Sequence, residues 1–174
     1  MFGIVDFFQL ILSLFLILPA VSIIRESGYI IAATIFGAKN KKITIGVGPK
    51  ILDLSFFEIR KYYFMYSWCT YESIRYEGKW AHILIYSAPI AANFFVALVI
   101  NGLLAADILS GSFWEKFIFY AFYFVLFDAL PLYFPDGQPS NGRVVFELLK
   151  YGKRIDFDKE DPKKIEDEGR HVRE

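Results

Sequence analysis

The chain has 174 residues, 55% of them hydrophobic and 19% aromatic, with 19 basic residues balanced by 19 acidic ones. That length holds one domain, the apolar share exceeds the roughly 45–50% of soluble domains, and a net charge of zero gives nucleic acid no basic surface to bind. One cysteine, Cys69, excludes an internal disulfide and a cysteine-based zinc site and reads as a small buried residue.

The apolar residues come in blocks. Residues 4–36 read as a first span, interrupted by the polar patch Arg25-Glu26-Ser27-Gly28-Tyr29. Nothing basic precedes Arg25 and Asp6 is acidic, so the block lacks the n-region of a cleaved signal peptide and reads as retained. Spanning takes about 20 residues, so this stretch tilts or leaves the hydrocarbon, and Pro19 predicts a kink.

Residues 37–79 are polar and rich in aromatics. Residues 42–46 alternate like a strand, Gly46-Val47-Gly48-Pro49 reads as a turn, and residues 51–55 and 62–71 are rich in β-formers. A small sheet at the membrane surface is expected, its Tyr, Trp and Phe suiting the interfacial zone. An aromatic loop with no ligand role is the alternative.

A second span covers residues 80–106, opening on Ser87-Ala88-Pro89 and Ala91-Ala92-Asn93, small residues that let helices approach closely in lipid. A third span, 113–132, follows a short turn. The Pro/Gly-rich loop 134–142 leads to a short helix, 143–150, where Arg143 and Glu147 read as a solvated pair. The charged tail, 151–174, reads as disordered or loosely helical and as a solvated face, with docking of a soluble partner as the alternative. The expected fold is an α-helical integral membrane protein of about three transmembrane helices, with a small β element between the first and second. Residues 1–150 form the membrane domain and 151–174 the tail.

Lysine and arginine placement sets orientation. Loop 37–79 carries Lys39, Lys41, Lys42, Lys50, Arg60, Lys61, Arg75 and Lys79, the tail is equally basic, and the N-terminus has no basic side chain. The positive-inside rule then predicts a multi-pass cell-membrane protein with loop and tail cytoplasmic and the N-terminus outside.

A charge inside a span costs about 2.5–3.5 kcal/mol on insertion scales. Arg25, Glu26 and Asp128 are therefore expected to face the bundle interior and find partners, snorkelling of Arg25 to the interface being the alternative. Residues 25–29 have the frame of H-E-x-x-H with both histidines replaced. In that motif two His at i and i+4 bind zinc and the Glu acts as general base.

Four segments in order resemble the site-2 protease family of intramembrane metalloproteases. They are the helix Ile24-Arg-Glu-Ser-Gly-Tyr-Ile-Ile-Ala-Ala33, then Gly46-Val-Gly-Pro49, then Ser87-Ala-Pro-Ile-Ala-Ala-Asn93, and last Asp128-Ala-Leu-Pro131 followed by Asp136-Gly137 or Asn141-Gly-Arg-Val144. They resemble that family's V-H-E-x-G-H, G-x-G-P, A-G-P-x-x-N and N-x-x-P … D-G-x-R segments over about residues 20–150. The resemblance makes Glu26 the general-base position and Arg25 and Tyr29 the former histidine positions. The third ligand position is Asn141 or Asp136, depending on which landmark is aligned. It also implies packing or substrate-backbone roles for Asn93, and capture of an extended peptide on an exposed strand, sought within residues 42–55.

The departures decide the chemistry expected. Arginine is always protonated and cannot ligate, and the two histidines, His82 and His171, cannot rebuild an i, i+4 pair. A zinc site made of Glu26, His82 and Asp136 has no supporting spacing, and His82 reads as a helix-start histidine. No cofactor is expected, zinc entering only if an atypical site holds it. Arg25 is expected to replace the metal's charge in an ion-pair network with Glu26, Asp128 or Asp136, an aspartate being the main partner because residues i and i+1 do not share a helix face. Tyr29, one turn on, would donate to the same carboxylate. The expected function is a pseudoprotease that binds, from the bilayer, a hydrophobic peptide or a membrane-protein partner. An active protease with an atypical metal site, and a non-enzymatic subunit of a transport or immunity complex, stay open beside it.

Overall fold

A computed structural model of the chain describes residues 3–76, 78–134 and 137–152. The tail beyond residue 152, His171 in it, and Asp136 lie outside the described residues.

The first apolar block is one continuous helical rod: α1 (Ile4–Leu12), a π-helical turn (Ser13–Ile17) and α2 (Leu18–Ile35). The π-turn answers Pro19. A proline has no N–H for the carbonyl four residues back, and the helix widens just before it, Leu18 N–H bonding Ser13 O five residues earlier. The expected kink is thus a π-bulge. Helix α3 (Lys79–Ala105) is the second rod, α4 (Ser112–Ala129) the third and α5 (Asn141–Tyr151) a short fourth.

Among the described residues two helices are long and apolar enough to cross a membrane, Ile4–Ile35 with mean hydropathy 2.5 and Lys79–Ala105 with 2.2. The expected third span is helical but shorter, and within 18 residues it carries Glu115, Lys116 and Asp128. It ends because Pro131 pushes the residue before it out of the α region; Leu130 is extended, at φ −64° and ψ 131°.

Helices α2 and α3 run antiparallel. Tyr29, Ala32 and Ala33 pack with Ile85 and Tyr86 in one core cluster. Ile17 and Val21 pack with Ala97 and Ile100, and with Phe117 and Ala121 of α4, in the other. The backbones meet at Gly28, where an added Cβ would lie 2.8 Å from Ala88 O and 2.9 Å from Pro89 Cα. The outward faces keep large apolar residues such as Phe8, Phe95, Val99 and Phe119 exposed.

Strands β1 (Lys42–Asp53) and β2 (Phe57–Thr70) form a two-stranded antiparallel sheet of irregular register. Ile43, Thr44 and Ile45 each have two partners: Cys69 and Phe57, Trp68 and Glu58, Ser67 and Ile59. That is possible only if both strands bend, so that 43–45 lies between the two arms of β2. Two expectations change. Gly46-Val47-Gly48-Pro49 is the bend within β1 and not a loop between strands. Gly46 and Gly48 sit at φ 84° and 89°, and a Cβ on Gly46 would overlap Tyr63, so glycine is required there. And residues 42–45 are not an exposed edge; within 42–55 the outward arm is 50–53, where Ile51 and Leu52 are exposed.

The sheet also does more than cap the first rod. Cys69, Ile43 and Ile45 pack with Tyr29 and Ala33, while Phe64 meets Phe15 at 4.6 Å between ring centroids with the rings tilted at 59°. Phe15 lies about 30 Å from the end of the rod at about 1.5 Å per residue. The expected membrane-surface element therefore extends well along the helix. Cys69 is buried in the core, as expected.

Candidate functional site

Helix α2 points Arg25, Glu26 and Tyr29 into the bundle, α4 ends with Asp128, α5 begins with Asn141, and α3 contributes Asn93. Arg25 Nε donates to Asp128 Oδ2 at 2.6 Å and Nη2 to Oδ1 at 2.9 Å. This fork-to-carboxylate geometry is among the strongest of charge-assisted pairs. The third nitrogen, Nη1, donates to Glu26 Oε1 at 2.5 Å. Glu26 and Asp128 are buried, at 1% and 4% exposure. The guanidinium lies 5.7 Å from the Tyr29 ring centre. Arg25 is held inside the bundle and does not snorkel.

Asp128 is the main partner, one of the two expected. Glu26 is a second partner through one hydrogen bond, in the secondary place the helix-face argument gave it. That argument compares Cβ directions, and the arginine is long enough to curl across the face. Tyr29 departs from expectation. Its hydroxyl donates to Asn141 Oδ1 and its ring meets Tyr86 edge-on at 6.1 Å. Positions 29 and 141, 112 residues apart, are thereby neighbours.

The chain delivers Asn141 by doubling back after α4. Ser140 N–H bonds Leu132 O at 2.9 Å and Phe134 N–H bonds Gln138 O at 2.8 Å. Ser140 then caps α5, its hydroxyl accepting from Arg143 N–H at 3.1 Å while donating to Leu130 O. Gly142 seals the contact, since a Cβ there would overlap the Ala129 carbonyl. Ser140 was not singled out by the sequence reading, although a serine just ahead of a helix is the N-cap signal.

Asn93 is 1% exposed and neither side-chain polar atom has a hydrogen-bond partner among the described residues. It lies four residues past Pro89, and Arg25 three before Gly28, so the antiparallel contact of Gly28 and Pro89 sets both at similar depth. Asn141 Nδ2 likewise has no partner among the described residues. A buried amide left unpaired costs about 1–3 kcal/mol.

Two other charge clusters lie outside this site. Lys42 Nζ bridges Asp53 at 2.5 Å and Glu58 at 2.8 Å; Lys50 bridges the same carboxylates at 3.0 and 3.2 Å, and Arg60 Nε holds Glu58 at 2.7 Å. Burial pushes the Glu58 carboxyl up, but hydrogen bonds from Lys42, Arg60 and Lys50 outweigh it and hold it below its usual value. Hydrogen bonding to Lys42 and Lys50 lowers Asp53 and raises both lysines. On α5, Arg143 Nε holds Glu147 at 2.5 Å. That pair is not solvated as expected: Glu147 is 2% exposed and accepts from Tyr133 at 2.8 Å.

Among the described residues no group of three His, Cys, Asp or Glu could hold a metal ion. Gly46 and Gly48 pack on Tyr63 and Tyr62 in the bend of β1.

Apolar rods of spanning length around a buried ion pair are the features of a helical membrane protein. The chain is 31% identical over 160 residues to the uncharacterized membrane protein YwmF of Bacillus subtilis (strain 168), a match covering 91% of this chain and 100% of the relative. It belongs to the family of that membrane protein. No protein-family profile matches it.

Proposed function

We propose that the chain is a catalytically silent, site-2-protease-like membrane protein that binds a membrane-spanning or hydrophobic peptide segment of a partner. Arg25 carries this reading. The motif frame asks for two imidazoles at residues 25 and 29, and this chain has a guanidinium locked onto Asp128 and Glu26 and a tyrosine bonded to Asn141. A zinc ion does not fit that donor set. Arg25 is a fixed cation that repels a divalent metal, its pairing occupies the two nearest carboxylates, and Tyr29 and Asn141 are poor zinc ligands. Contact between residues 29 and 141 favours Asn141 over Asp136 as the third former ligand position. The topology that goes with this reading has three spans. The N-terminus is outside, and the loop 37–79 and the tail are cytoplasmic.

The partner would add a strand to the outward arm 50–53 of β1, by main-chain hydrogen bonds. A photo-crosslinking residue in place of Ile51, introduced in cells of the native host, tests this. The expected product is one membrane-spanning partner, captured uncut and lost when Leu52→Pro removes an N–H from the arm. Partner fragments whose formation a chelator stops would overturn the reading.

A further inference from the structure

An open apolar groove of about 300 Å³ runs between α3, the end of α4 and α5, lined by Ser87, Ile90, Ala129, Val145, Phe146 and Leu149. It has a direction. Lys79, the first residue of α3, reaches Leu149 O at 3.4 Å at one end, and Gly142 abuts Ala129 at the other. From Lys79 to Ile90 is 11 residues, about 16 Å at about 1.5 Å each. The groove thus follows the α3 rod inward from its basic end. Its deep wall is hydrocarbon, whereas its mouth is cationic. Lys79 touches one lining residue, and Lys150 Nζ lies 5.6 Å from the ring centre of another, Phe146.

We propose that this groove binds one anionic phospholipid, with an acyl chain along Ile90, Val145 and Leu149 and the phosphate between Lys79 and Lys150. The charge arrangement selects this occupant. An apolar peptide would match the wall but offer no anion to the two lysines, which meet a carbonyl and aromatic rings, and a free phosphate would match the lysines but leave the wall bare. Basic pockets at the ends of membrane helices are recognised sites for acidic headgroups. The site lies on the α3–α5 face, apart from the Arg25 cluster and the β1 arm, and it does not depend on the peptide-binding reading.

Native mass spectrometry of the full chain in detergent micelles doped with phosphatidylglycerol or phosphatidylcholine tests it. One phosphatidylglycerol should be retained in preference to phosphatidylcholine. The variants Lys79→Gln, at a half-buried lysine, and Lys150→Gln, at an exposed one, should each weaken that preference about fivefold, the equivalent of about 1 kcal/mol per lysine near an anionic surface. Val145→Trp should abolish retention of both lipids by filling the groove, and an unchanged unfolding midpoint in lipid-free micelles shows that it folds. Equal retention of the two lipids, or a preference that survives loss of both lysines, overturns the headgroup site. Retention that survives Val145→Trp overturns the groove.

Discussion

Arg25 and Lys42 each bridge two carboxylates, one inside the helix bundle and one on the face of the sheet. Arg25 holds Asp128 and Glu26, with all three side chains largely shielded; Lys42 holds Asp53 and Glu58, with Asp53 44% exposed. The chemistry is shared and the medium differs. In the bundle, desolvation is severe and each charge depends on its partner. On the sheet, Lys42, Lys50 and Asp53 reach water that replaces a lost partner at little cost, and only Glu58 is buried. The first cluster should therefore behave as a structural lock, whereas the exposed members of the second, Asp53 and Lys50, should contribute little.

The largest effect separating them is loss of a partner in the bundle. Asp128→Ala should cost about 3–5 kcal/mol by leaving Arg25 to Glu26 alone, and adding Arg25→Met with Glu26→Gln should recover most of it, as read by unfolding in detergent. A combined variant no more stable than Asp128→Ala would put the three residues outside one network. Next comes Gly142→Ala, which must part α5 from the Ala129 carbonyl. A loss of about 1–3 kcal/mol is expected, with weakened protection of the Tyr29 hydroxyl contact in hydrogen exchange around residues 141–144. Asn93→Leu runs the other way. Removing an unpaired buried amide should raise stability by about 1–2 kcal/mol, and a loss would mean that Asn93 has a partner in the membrane.

The smallest effect belongs to the sheet. Asp53 and Glu58 are lowered, so their stabilisation is full above the ordinary carboxylate value near 4 and fades as pH falls through the lower folded value. Lys42 and Lys50 are raised, so theirs is full below about 10.4 and fades as pH rises through the higher folded value. Amide exchange in β1 should thus show no cluster-dependent change between about pH 5 and 10, and Asp53→Asn, at the exposed carboxylate, should leave stability nearly unchanged. A titration near neutrality would contradict that.

The bundle was the more legible region. Hydropathy blocks marked the helices to within a few residues at most ends, and the cost of a charge in lipid pointed to Arg25 and Asp128 as partners. What the sequence hid were distances across the fold. Local pattern does not pair Tyr29 with Asn141; the motif resemblance alone set them at one site, and a doubled-back loop brings them together. The sandwiching of 43–45 between the arms of β2 follows from register, which local alternation does not encode. The burial of Glu147 depends on Tyr133, fourteen residues away.

The central claim is that a fixed cation stands where the motif frame would seat a metal, and metal content tests it most directly. The triple variant Arg25→His, Tyr29→His, Asn141→Asp should take up about one zinc per chain, as a three-ligand site does, while the wild-type protein takes up none. A wild-type chain that binds zinc stoichiometrically, or a triple variant that folds and binds none, would contradict the account.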